Sequence, residues 1–203
     1  MTSYKSLLIF IVVLAGLILF LVFGLGNRWE YPPGQAVAPE EPVQTDLKEK
    51  KQWKKNGYLI QALAKFDMTA RVIIADRYRT DREADVSPMD LTVAWGPASD
   101  TAVLQQFDFY KLHRYYRYEW DDPGAPSSVV KSHTANMHMI GKDSYTDSKL
   151  THVEAEDIVT IEGYLVEVSA TDGWRWRSSL TRNDSGNGAC ELVLVESIKI
   201  KTP

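Results

Sequence analysis

Asp157-Ile-Val-Thr-Ile-Glu-Gly-Tyr-Leu-Val-Glu-Val168 is the most strand-like stretch of the 203-residue chain. β-Branched and aromatic side chains dominate it, and a single glycine, Gly163, interrupts it where a barrel strand commonly bends. Two further strands follow. One is read over residues 174–180 and the other over 189–200, separated by the turn-rich Arg182-Asn-Asp-Ser-Gly-Asn-Gly188. Upstream, Phe66, Met68, Ala70, Val72 and Ile74 recur at every second position, the period of a half-buried strand. Residues 91–95 form a short strand closed by Gly96-Pro97. Residues 106–112 and 114–120 pair as a hairpin before the turn Asp121-Asp-Pro-Gly124.

Residues 129–140 read as extended and 144–153 as a short helix. Many short strands with one or two small helices predict a mainly β fold, either a β-rich sandwich or a small barrel. The stretch 157–168 with its Trp-rich successor is similar to half of an OB-like barrel, a likeness of fold that carries no function.

The N-terminal part has another character. A run begins at Leu7 and ends at Leu25, 19 residues of which 17 are apolar and two are glycine. As a helix it covers about 28 Å, enough to cross a bilayer's hydrocarbon core. Its length exceeds the apolar core of a cleaved secretory signal, so an uncleaved anchor in the lipid bilayer is expected. Lys5 and the amino terminus precede it, whereas Arg28, Glu30, Glu40 and Glu41 follow. That asymmetry predicts a cytoplasmic tail at residues 1–6 and an exported C-terminal domain. Pro32, Pro33, Pro39 and Pro42 make residues 27–46 read as an extended tether, and 47–56 reads as a short charged helix ended by Gly57. Residues 57–203 are left as the β-rich domain.

Without the apolar run, the apolar share falls from 44% to about 39% of the remaining 184 residues, that of an ordinary soluble domain. The formal charge of −4 argues against nucleic-acid binding by bulk electrostatics. One cysteine, Cys190, forbids an internal disulfide.

Strand alternation over Gly173-Trp-Arg-Trp-Arg-Ser-Ser-Leu-Thr-Arg182 sends Trp174 and Trp176 to one face and Arg175 and Arg177 to the other. Two readings follow. The tryptophans enter the core while the arginines pair with Glu162, Glu167 or Glu191, or Arg175, Arg177 and Arg182 meet an anionic group. Arg114, Tyr116, Arg117 and Tyr118 lie in a second aromatic and basic stretch, residues 110–120, which offers more aromatic surface than a small core hides. His133 and His138 are the metal-ligand candidates, but a spacing of five separates them on a strand or a helix alike. A thiolate at Cys190 needs a histidine within reach and a lowered pKa. Residues 76–85 mix three arginines with four carboxylates, the pattern of a solvated, self-paired loop.

Ser87-Pro-Met-Asp-Leu91, Ala94-Trp-Gly-Pro97, Ala135-Asn-Met-His138, Gly163-Tyr-Leu-Val166, the Trp-Arg-Trp segment and Gly188-Ala-Cys-Glu191 together resemble an uncharacterised family of bacterial single-pass membrane proteins. The resemblance covers roughly residues 57–196. It implies a bacterial inner membrane and a periplasmic domain, and it supplies no activity, cofactor or catalytic residue. The expectation is a binding or scaffolding module that presents aromatic and arginine side chains to an envelope protein, without cofactor or nucleic acid. The alternative is an extracytoplasmic hydrolase or transferase using His133, His138 or Cys190.

Overall fold

The computed structural model describes residues 11–13, 29–181 and 190–203. The chain divides into two units, residues 1–30 and 31–203. In the first, residues 11–13 are helical and exposed. Most of the apolar run lies outside the described residues, among which no helix is long and apolar enough to cross a membrane.

The second unit is mainly β, as the period-2 patterns require. Its frame is five strands: β3 (Tyr58–Arg77), β4 (Met89–Ala94), β7 (Thr134–Gly141), β8 (Ile158–Ser169) and β10 (Glu191–Lys201). β3 pairs with β4, β4 with β7, β7 with β10, β10 with β8, and β8 again with β3. The pairings therefore close into a ring. All are antiparallel except β7 with β10.

β3 joins both ends of the ring because it is long and bulged. Between Ala62 and Ala64 its register against β8 shifts by one residue. A one-residue slip exchanges the two faces of a strand. Tyr58, Ile60 and Ala62 accordingly belong to an outer apolar cluster, while Ala64, Phe66, Met68, Ala70 and Val72 line the interior. The interior is completed by residues such as Leu91, Met137, Ile161 and Val193, with Leu150 of the helix α3 (Ser144–Leu150) packed among them. Gly163 lets two backbones approach, since a Cβ there would collide with the Leu194 carbonyl.

The outer cluster is covered by β2 (Gln52–Lys55) and β9 (Arg175–Arg177), which bring Trp53, Trp174 and Trp176. β2 corrects the helix expected over residues 47–56. Lys55 pairs with Tyr58 across Asn56-Gly57, and both turn residues have positive φ, 49° and 85°. Asn-Gly is the sequence that such a two-residue hairpin turn demands, and it outweighs the charge pattern that suggested a helix.

The tether is corrected as well. β1 (Val43–Asp46) pairs with β3. Ahead of it, the Ala38 amide donates to Ser99 Oγ at 3.0 Å, and the Trp95 indole donates to Glu41 at 2.8 Å. The prolines fix a path along the domain surface, and its backbone groups find partners there. Residues 129–140 are likewise not one extended segment: α2 (Ser127–His133) precedes β7. The expected hairpin is present as β5 (Asp108–Leu112) and β6 (Tyr115–Glu119), a separate two-stranded sheet with no ladder bond to the ring. The remaining helix, α1 (Thr101–Leu104), is one turn capped by Asp100.

Candidate functional site

On β4 and β7, Leu91, Val93, Met137 and Met139 point inward, so Asp90, Thr92, Asn136 and His138 must point outward. An outward face of a small barrel is ordinarily wet. Here all four side chains are buried, because the β5–β6 hairpin and Trp176 lie over them.

The contacts that hold this cover are polar. His138 Nδ1 is 2.8 Å from Asp90 Oδ1, and the imidazole lies against Trp176 with ring centroids 4.7 Å apart. Asn136 Nδ2 donates to the Arg114 carbonyl at 2.9 Å, and Thr92 Oγ1 donates to Asn136 Oδ1. Lys111 donates to the same Asn136 oxygen and stands 3.7 Å from Asp90 Oδ2. Burial lowers the Lys111 pKa, against the pull of Asp90. The Tyr116 hydroxyl bonds Thr134 Oγ1 at 2.9 Å, and burial pushes that phenol up to about 12.

Arg114 is the densest point. Its Nε and Nη2 reach the two oxygens of Asp81 at 2.7 Å each, the fork geometry that guanidinium and carboxylate share. Nη1 donates to Asp90 Oδ1 at 2.9 Å and Nη2 to the Ser87 carbonyl at 3.1 Å. The Tyr78 ring centroid lies 4.0 Å from Cζ, a cation–π distance. Its hydrogen bonds to Arg114 hold the Asp81 carboxyl below the usual aspartate range. The loop over residues 76–85 is thus not paired with itself: Asp81 takes Arg114 and Arg82 takes Asp172. The reason is that the loop lies between the hairpin turn and the β8–β9 connection, both within reach of its long side chains.

The residues singled out in the sequence fall in different places. Arg175 and Arg177 are exposed, at 73% and 55% of their side-chain surface, and share the carboxylate of Glu167 at 3.8 and 2.9 Å. Trp174 and Trp176 pack on the outer cluster from the other face of β9. Arg117 is exposed, whereas Tyr116 and Tyr118 are half-buried on the opposite face of β6. Arg182 lies outside the described residues. Arg114 is no surface arginine, its side chain being 12% exposed. His133 ends α2 and meets Glu41 at 3.1 Å, while His138 lies on β7 beside Asp90. No group of three or more His, Cys, Asp or Glu residues among those described is arranged to hold a metal ion.

The Asp90–His138 pair has the carboxylate–imidazole contact that orients a catalytic base. The cysteine in its neighbourhood does not match that role. Burial, with Glu191 adding to it, pushes the Cys190 thiol up to about 11, which keeps it protonated at neutral pH. What the arrangement does is bind a guanidinium. Sequence reading passed over Asp81, Asp90, Lys111 and Asn136 as site residues, although the outward positions carry Asp90 and Thr92 on β4 and Asn136 and His138 opposite them on β7. Compared with known protein families, with curated proteins and with solved structures, the chain matches none.

Proposed function

We propose that the chain is a membrane-anchored, extracytoplasmic binding module of the bacterial envelope, built on an OB-type barrel and working without catalysis. Numbered within the ring, its strands run 1-2-3-5-4-1 with the third and fifth parallel and a helix between the third and fourth, the connectivity of that five-stranded Greek-key barrel. The apolar run over residues 7–25 is the anchor, with its N-terminus in the cytoplasm. Because residues 31–46 are held along the domain by strand pairing and hydrogen bonds, they do not serve as a free spacer.

The observation that carries the reading is an outward surface that the fold leaves uncovered. On the solvent side of the hairpin, Tyr110, Leu112 and Tyr115 are 41%, 50% and 41% exposed. Arg175 and Arg177 extend from β9, whose Trp176 comes within 5.8 Å of Arg114 at the hairpin turn. Aromatic and arginine side chains are the residue types on which protein interfaces concentrate their binding energy. A protein partner in the envelope is therefore the expected ligand.

The test is a photo-reactive amino acid placed at 112 or 177 in intact cells, with position 45 on β1 as control. One discrete crosslinked protein from both test positions and not from the control is expected. Replacing Arg175, Arg177 and Tyr110 together by alanine should remove that product while the domain stays folded. Products common to all three positions, or retained in the triple variant, overturn the reading.

A further inference from the structure

The cradle around Arg114 has the composition of a ligand site. Two carboxylates, a backbone carbonyl and an aromatic face converge on one guanidinium, and all four belong to residues 78–90, which are not part of the hairpin that delivers it. Asp90 Oδ2 is fully buried and accepts no hydrogen bond, with only the Lys111 ammonium at 3.7 Å. A guanidinium approaching at a slightly different depth would find that oxygen still open.

The element that fills the cradle is built to be separable. β5 and β6 make no ladder bond to the ring, and a lone two-stranded hairpin is marginal in water. Its aromatic side packs on Phe107, just ahead of β5, with Phe109 and Tyr118 at 6.2 and 5.8 Å from that ring and Tyr116 at 6.0 Å from Tyr118. Neither buried apolar cluster of the ring includes these residues. The turn that presents Arg114 carries His113 at φ 54°, a left-handed conformation that a non-glycine residue adopts at a cost. Polar, charge-paired contacts hold the arm down, and such contacts exchange for equivalent ones with little net loss.

We propose that this cradle is an arginine-recognition site, occupied in cis by Arg114, and that a protein partner's arginine side chain displaces the hairpin to enter it. Lysine is a poor substitute, since a point-like ammonium cannot engage both Asp81 oxygens and Asp90 in the plane of a fork. The site shares no residue with the exposed surface of Arg175, Arg177 and Tyr110, so failure of one leaves the other to be judged separately.

The experiment titrates the full-length protein in detergent micelles with ethylguanidinium, N-acetylargininamide and N-acetyllysinamide, read by tryptophan fluorescence and calorimetry. Arg114→Ala should bind the two guanidinium compounds saturably and the lysine compound not at all. The wild-type protein should bind them at least tenfold more weakly, because its own Arg114 competes. Adding Asp81→Asn to Arg114→Ala should abolish binding. In wild type, saturating N-acetylargininamide should raise amide exchange over residues 108–119. A folded Arg114→Ala protein that takes up no guanidinium, one that binds the lysine compound equally, or binding that survives Asp81→Asn overturns the proposal, as does unchanged exchange of the hairpin. If Arg114→Ala does not fold, Arg114→Lys keeps a cation without the fork, and the same outcomes apply to it.

Discussion

Arg71 and Arg114 are both arginines bound to carboxylates beneath the surface, yet they belong to regions held together by different forces. Arg71 is fully buried. It reaches both oxygens of Glu156 at 3.1 and 2.6 Å, the Ser99 carbonyl and Thr101 Oγ1. It stands on β3, paired on one side with β4 and on the other with β8, so it cannot leave without unfolding the ring. Arg114 makes as many contacts, but from a hairpin with no ladder bond to the ring. The number of contacts is therefore no guide to permanence. What decides it is whether the element that carries the side chain can move as a unit.

The largest expected effect tests the permanent half of that contrast. Arg71→Ala leaves Glu156 buried without its guanidinium and frees Thr101 and Ser99 from theirs. Breaking a buried pair from one side costs about 3–5 kcal/mol, which in a domain of this size lowers the midpoint of thermal unfolding by about 10 °C. The loss should be global, with one cooperative transition by both far-UV and near-UV circular dichroism. A shift below about 3 °C would mean that Glu156 is readily rehydrated and that the two regions differ less than the pairing suggests.

How much of this contrast the sequence carries follows from where each region takes its order. The ring was readable because interior and exterior alternate along its strands, and Phe66 through Val72 displays that alternation directly, whereas residues 158–168 are apolar on both faces and register as a strand by residue type alone. The closure of β3 onto β8 was not readable. It depends on a bulge at residues 62–64 that leaves even-numbered residues apolar on both sides of the slip, so nothing in the pattern marks it. The Asn56-Gly57 turn was legible and was outweighed by the charges around it. The Arg114 cradle was hidden for another reason. Asp81, Asp90, Arg114 and Asn136 are spread over 56 positions of chain, and each has an ordinary reading as a surface residue. Only the packing of the hairpin over β4 and β7 brings them together.

The movable half of the contrast predicts a smaller and more local effect. Arg114→Ala removes the fork from Asp81 and Asp90, but Asp90 keeps His138 and Lys111, and an undocked hairpin admits water to whatever remains. Local opening thus caps the cost at about 1–3 kcal/mol. Amide protection should fall over residues 108–119 while that of β3 and β8 is unchanged. In the wild-type protein acid should imitate the mutation. Asp81 titrates lower when docked on Arg114 than when free, so its contribution is complete above the ordinary aspartate value of about 3.9 and is lost as pH falls through the docked value. Hairpin protection should accordingly be level between pH 5 and 7 and decline below pH 4, ahead of the ring. Simultaneous loss of hairpin and ring would merge the two regions into one cooperative unit.

The smallest effect is expected where neither a rigid frame nor a docked arm is involved. Glu167 on β8 serves two exposed arginines, Arg177 at 2.9 Å and Arg175 at 3.8 Å. Arg177→Ala leaves the carboxylate with Arg175 and with solvent, and exposed pairs of this kind contribute at most about 1 kcal/mol even when nothing replaces them. The change in unfolding free energy should stay within about 0.5 kcal/mol, and raising the salt concentration should erase it. The two tryptophans on the other face of β9 keep the strand in place through apolar contact, so the arginines add little to folding. A stability loss above 1 kcal/mol would show that Arg177 acts as a fastener of β9 and would withdraw it from the binding surface. A neutral result leaves its cost of exposure, two long cationic side chains held over one carboxylate, to be accounted for by what they bind.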